Sequence, residues 1–281
     1  MKKFLALILA MVMALSLVAC GGNDSTDTND TQEEGGIVTV TPGKLTVATS
    51  PDFAPYEFYA IDDAGTPQLA GFDMALAQYI ADYLGLELEV IPMDFDGTIM
   101  ELANKAVDLG MAGYSPDPER EDSMDFSEVY YAGSQSFVCL QSNKDQFTTL
   151  EATNKAEYQI GAQIGSIQVK LANENSPEAD IVELTKVTDI IAELLAGTLD
   201  GAYIETAVAE SYAKNYPELC VVLPVPYDVE GSVVGVSKGN TELLAGVNEA
   251  IAAALADGSM DQFVAEANEA ASGEIIEGLV G

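Results

Sequence analysis

From residue 45 onward, short β-rich runs alternate with runs of helical period, and the alternation starts afresh near residue 159. This pattern, more than any other, limits what the chain can fold into. A helix that crosses over between two strands brings the chain back in the same direction, so repeated alternation builds α/β units with mostly parallel sheets. Strands are predicted at 45–49, 87–91, 107–112 and 137–140, then at 159–162, 181–184, 201–204 and 219–223. Helices are predicted at 72–84 and 96–105, after Ser166, and at 189–196, 206–214, 241–256 and 259–270. In the first helix Phe72, Leu76, Ile80 and Leu84 recur at fourfold spacing and Gly85 stops it. Two sets of units predict two lobes. Ligands of such sheets gather beyond the carboxyl ends of strands, which singles out the loops after Thr49, Ile91, Ala112, Ala162 and Ile204.

Charge and composition narrow the function. The 281 residues carry 46 acids against 11 bases, a net charge of −35. Phosphate backbones and anionic lipid surfaces both demand a basic face, so nucleic-acid binding and polybasic membrane docking are excluded. The chain contains no His. That removes Ser–His–Asp and Cys–His catalysis and any His-ligated metal site. No catalytic residue, cofactor or metal is expected. Arg120 is the sole Arg, so its surroundings matter.

The N-terminus has the form of an export signal over residues 1–19. Lys2 and Lys3 precede an apolar run shorter than the ~20 residues of a membrane span. Leu17-Val18-Ala19-Cys20 resembles a bacterial lipobox. That resemblance implies cleavage before Cys20 and attachment of lipid to its sulfur, leaving a protein on the outer face of the cell membrane or in the periplasm, held by its lipid alone. Residues 20–43 are polar and acidic, the composition of an extended tether. Cys139 and Cys220 lie in apolar runs and are expected as two separate buried thiols.

The loops at the predicted strand ends carry SPDFAPYEF (residues 50–58), AGFDMALAQYIADYLGL (70–86), MDFDGTIMELANKAVDLGMAGYSPDPERED (93–122) and MDFSEVYY (124–131). Together they resemble the polar amino-acid family of periplasmic-type solute-binding proteins of ABC importers. The likeness runs from about residue 45 to 263. It implies a type II periplasmic-binding-protein fold: two mostly parallel sheets with flanking helices, joined by a two-strand hinge near 135–141 and 227–236. Lobe 1 would comprise 44–137 and 232–281, and lobe 2 would comprise 138–231. The implied partners are a free polar or basic amino acid, a permease and its ATPase subunits, with the binding protein a monomer.

The resemblance also assigns roles. Arg120, in Pro118-Glu119-Arg120, would hold the ligand carboxylate, for which a guanidinium fork is suited. Gly113, Ser115, Ser166 and Ile167 would assist through backbone amides, Ser166 also serving as a helix N-cap. Glu205, closing the strand GAYI, would hold the ammonium, unless it is an exposed surface acid. Phe53 and Phe95 would sandwich the ligand side chain, with Ser50, Tyr114 and Gln163 around it. Ser50 stands where some relatives that take cationic ligands have an acid. Tyr114 and Asp117 depart from the family pattern. Tyr114 would narrow the pocket, and Asp117 is expected to cap the turn before Arg120. Asp52 and Glu57 are expected to face solvent. Two other functions suit the same fold: a cyclohexadienyl-dehydratase-like enzyme using Glu205 as general acid, and a sensory or adhesion module.

Overall fold

The computed structural model describes residues 36–62, 64–227 and 231–272. The expected signal, Cys20 and most of the expected tether lie outside the described residues. In chain order the strands are β1 (Lys44–Thr49), β2 (Asp52–Phe53), β3 (Glu57–Ile61), β4 (Pro67–Ala70), β5 (Glu87–Pro92), β6 (Leu109–Gly110), β7 (Met124–Phe126), β8 (Gln135–Leu140), β9 (Gln159–Gln163), β10 (Asp180–Leu184), β11 (Gly201–Glu205), β12 (Leu219–Val225) and β13 (Gly235–Ser237). The helices are α1 (Phe72–Leu84), α2 (Phe95–Ala103), α3 (Ile167–Asn175), α4 (Val187–Ala196), α5 (Thr206–Asn215), α6 (Thr241–Asp257) and α7 (Ser259–Ala270).

Two five-stranded sheets result, ordered β5-β1-β6-β13-β7 and β10-β9-β11-β8-β12. Each has three parallel strands, as the βαβ alternation requires. Antiparallel strands enter where the chain changes sheet: β13 against β6 and β7, and β8 against β11 and β12. Because β8 pairs throughout its length within the second sheet, the chain crosses between Phe126 and Gln135, earlier than the expected 135–141. The return crossing falls between Val225 and Gly235. The two crossing segments meet in an antiparallel bridge, Tyr131 to Ser232.

The helices follow from their apolar faces. Phe72, Leu76 and Ile80 of α1 are fully buried, each side chain contributing ~1.5–3 kcal/mol by leaving water. Gly85 ends α1 in the left-handed conformation, with φ 69°. The C-terminal helices α6 and α7 pack on α1, so the first lobe is discontinuous. Residues 37–43 are attached to that lobe: Val40 N donates to Asp108 Oδ1 at 2.8 Å, and Ile37 packs on the apolar core.

One element was not expected. The stretch after β1, read as a loop, is an antiparallel three-stranded sheet, β2-β3-β4. In it Phe53 stands opposite Glu57, and Asp52 opposite Phe58. Cys139 and Cys220 are free thiols, as expected, directly opposed on β8 and β12; Cys139 is buried but Cys220 only half-buried.

Candidate functional site

Some of the expected site residues lie where the two lobes touch, Arg120 against Gly165 and Gln163 near Asp52. On the first lobe, Arg120 ends a single 3-10 turn, Pro118–Arg120. The carboxylate of Asp117 caps that turn by accepting from Glu119 N at 3.0 Å. It also pairs with Arg120 Nε at 3.4 Å. Burial lowers the pKa of the guanidinium, and Asp117 opposes that shift. Arg120 Nη2 donates to the carbonyl of Gly165 on the second lobe at 2.8 Å. Arg120, Gly165 and Ser166 line an open cavity of about 450 Å³. The first amides of α3 begin there, where a helix N-terminus favours an anion.

Ser166 occupies the N-cap position of α3, but its side chain is not the cap. Its hydroxyl turns back and donates to the Gln163 carbonyl at 2.6 Å. Ile167, the first residue of α3, packs against the second lobe's apolar cluster.

On the second lobe, Glu205 is buried, not exposed. It caps α5, with Oε2 accepting from Val208 N at 3.0 Å. Oε1 accepts from Ser134 N, in the crossing segment, at 3.3 Å. Burial pushes its carboxyl up to about 7, with the amide bonds of Val208 and Ser134 pulling the other way.

Phe53 and Phe95 are nearly buried. Phe53 packs beside Tyr56 with ring centroids 5.4 Å apart and lies over Gly113. A Cβ on Gly113 would stand 2.6 Å from the Phe53 ring, and Gly113 has φ +59°, so glycine is required there twice over. The Gly113 amide donates to Asp73 Oδ2 at 3.0 Å. Ser115 is buried beyond it. Tyr114 does not narrow the pocket. It is fully buried behind Phe95, edge-on at 5.6 Å, and its hydroxyl pairs with Thr98 Oγ1 at 2.6 Å. Successive residues of an extended segment point to opposite sides, so Tyr114 turns into the first lobe's core, away from the face of Gly113 and Ser115.

Asp52 and Glu57 do not face solvent; both are buried. Asp52 crosses the gap between the lobes. Its Oδ2 accepts from Val187 N, the first residue of α4, at 2.6 Å. Its Oδ1 accepts from Ser50 Oγ at 3.1 Å. The hydroxyl of Tyr212, on the second lobe, donates to the Asp52 carbonyl at 3.1 Å. Gln163 Nε2 donates to Thr185 O at 3.2 Å and lies 3.5 Å from Asp52 Oδ2. Burial pushes Asp52 up to about 6, against the pull of Val187 N, Ser50 and Lys186. A helix N-terminus explains why an acid is tolerated here.

Asp73, in the first turn of α1, was also missed. It accepts from Tyr130 OH at 2.6 Å and from Gly113 N, and burial raises it to about 6. The GFD string marked the position without giving it a partner, because Tyr130 and Gly113 lie far along the sequence.

The family model for bacterial extracellular solute-binding proteins, family 3, matches residues 45–267. The arginine-binding extracellular protein ArtP of Bacillus subtilis (strain 168) is 34% identical over 255 residues, 89% of this chain and 92% of ArtP. A crystal structure of AbpA, an amino acid ABC transporter substrate-binding protein from Streptococcus pneumoniae Canada MDR_19A bound to L-arginine, superposes with a TM-score of 0.78 and 31% identity. It covers 83% of this chain and 97% of its own. A cyclohexadienyl dehydratase of Pseudomonas aeruginosa is 29% identical over 187 residues, 66% of this chain and 68% of the enzyme.

Proposed function

Because the chain belongs to family 3 of the bacterial extracellular solute-binding proteins, we propose that it captures one free amino acid between its lobes and presents it to an ABC importer. The observation that carries this reading is a pair of opposite charges on the two lobes, the half-buried base Arg120 and the buried acid Glu205. A zwitterion needs both. Its carboxylate would take the guanidinium fork in place of the Gly165 carbonyl and would draw on the first amides of α3. Its ammonium would take Glu205, whose pKa is raised by burial. Phe53 and Phe95 would flank the side chain, with Ser50 and Gln163 at its edge.

A ligand held by both lobes binds the closed arrangement better than an open one and shifts the population towards it. The closed form is then what a permease recognises, with ATP hydrolysis left to partner subunits. Among the described residues no helix is long and apolar enough to cross a membrane, and Leu17-Val18-Ala19-Cys20 supports a lipid anchor at Cys20. The relatives that bind arginine favour a basic side chain.

A thermal-shift panel of free amino acids tests this. Ligand that binds only the folded state raises its apparent stability, and L-arginine is expected to give a large rise. No rise with any free amino acid would overturn the reading. One observation favours a second reading: the dehydratase relative, together with a Glu205 carboxyl pushed up to about 7, a value suited to a general acid at neutral pH. Formation of an aromatic product from a cyclohexadienyl acid would establish it, and loss of that product in Glu205→Gln would assign the acid.

A further inference from the structure

β8 and β12 bring the two free thiols of the described residues face to face. Cys139 and Cys220 are direct partners in the antiparallel register, and directly opposed residues share a face of the sheet. The packing agrees. Val138 and Leu140 on β8, with Leu219 and Val221 on β12, pack with one apolar cluster, so alternation sends the residues between them to the other side. Cys139 belongs to the cluster found there, with Phe137 and Tyr203.

The ladder sets their spacing. Gln141 N donates to Glu218 O at 2.6 Å. Hydrogen-bonded pairs recur at every second residue of an antiparallel ladder, so Cys139 and Cys220 form such a pair. Its Cα atoms stand about 5.5 Å apart, a separation that disulfides commonly span. Neither thiol has a strong partner to give up. Cys139 Sγ donates to Leu140 O at 3.3 Å, and Cys220 Sγ to Val221 O at 3.8 Å; both are contacts of a weak donor. Amino-acid capture does not use either thiol. They lie at the end of β8 and β12 away from the crossing segments, which join the sheet at the paired Gln135 and Val225.

We propose that Cys139 and Cys220 are a site of reversible oxidation, where a low-molecular-weight disulfide converts the two thiols into a cross-strand bond that staples the second lobe. The family is extracellular, and disulfides persist outside the reducing cytoplasm. Half-buried Cys220 is reached first. Its thiolate attacks one sulfur of the small disulfide and expels the other as a thiolate, leaving a mixed disulfide. Cys139 then attacks the Cys220 sulfur and expels the second small thiolate. The two protons of the protein thiols pass to the two released thiolates, and the small disulfide takes up two electrons. Burial disfavours the Cys139 thiolate, so the second step is the slower one. The loop it closes contains β9, β10 and β11, and closing it restricts the unfolded chain. Because one sulfur borders solvent, excess small thiol reverses the bond by the same steps.

Oxidised glutathione is the probe. Reduced wild-type protein is exposed to it under native conditions, digested without reductant and read by mass spectrometry. A cross-linked peptide pair carrying Cys139 and Cys220 is expected, from monomeric protein with no glutathione left on either residue. The melting temperature should rise by about 5–10 °C over the reduced form and return on treatment with excess dithiothreitol. Cys220→Ser, at a half-buried position, should melt near the reduced wild type and show no rise. The wild-type measurement decides the question even where that variant fails to fold. Two thiols that both stay reduced would overturn the assignment, as would glutathione that remains on Cys220 beside a free Cys139. So would a cross-link between two chains, or a pair that joins only after denaturation. A cross-link that leaves the melting temperature unchanged, or lowers it, would overturn the staple.

Discussion

Replacing Arg120 by alanine should weaken amino-acid binding by about a hundredfold while hardly changing stability. The magnitude follows from the surroundings of the side chain, which is 12% exposed. A hydrogen bond to a charged group is worth about 1.5–3 kcal/mol. A guanidinium fork on a carboxylate makes two such bonds at once, so a loss of ~3 kcal/mol, about two decades in Kd, is a conservative figure. The effect on stability is small because the partners left behind are not orphaned. Asp117 keeps the Glu119 amide, and the Gly165 carbonyl borders an open cavity where water reaches it. The assay is calorimetric titration with L-arginine alongside chemical denaturation of both proteins. Unchanged affinity would refute the role given to Arg120. A fall in affinity matched by a comparable fall in unfolding free energy would refute the reasoning differently, by making Arg120 a strut between the lobes.

Three further outcomes follow from the geometry. Gly113→Ala should destabilise the protein by at least ~1–2 kcal/mol, the strain of a left-handed non-glycine residue, with displacement of Phe53 on top; denaturation midpoints and arginine affinity should fall together. Asp52, Asp73 and Glu205 have folded-state pKa values of about 6, 6 and 7, raised by burial above their unfolded values. The folded chain therefore binds more protons than the unfolded one, and the stability these groups lend is lost as pH rises through that range. The ligand-free protein should melt at a higher temperature near pH 5 than near pH 7, each group contributing ~1–2 kcal/mol across that window, and arginine should narrow the difference. Thiol labelling of the native protein at neutral pH should modify half-buried Cys220 before buried Cys139, whose thiol burial pushes up to about 12; equal rates would contradict the packing of β8 against β12.

What the sequence made legible was what repeats locally. The fourfold spacing of Phe72, Leu76 and Ile80 is a property of one helix and needs no partner to be read. Arg120 stood out because it is the only Arg. The acids were misread because their burial depends on groups that arrive from elsewhere. Asp52 is held by the start of α4, more than a hundred residues on, and Asp73 by Tyr130 and Gly113. The small sheet was read as a loop because β2 is two residues long and prolines stand at 51 and 55. Its strands are too short to show a period. Tyr114 was placed in the pocket from its rank in a motif, when the alternation of an extended segment sends it the other way.

The order in which the chain supplies its parts sets an order of assembly. Every strand of the second sheet lies between residues 135 and 225, so that half can form as one contiguous stretch. The first sheet stays incomplete until β13 arrives, and α1 stays uncovered until α6 and α7 follow. A chain emerging N-terminus first therefore cannot seal its leading half while it is still being delivered. Its apolar face remains open until Ser259–Ala270 is out, with the cleft residues it carries still unset. The half that emerges first is the half that matures last.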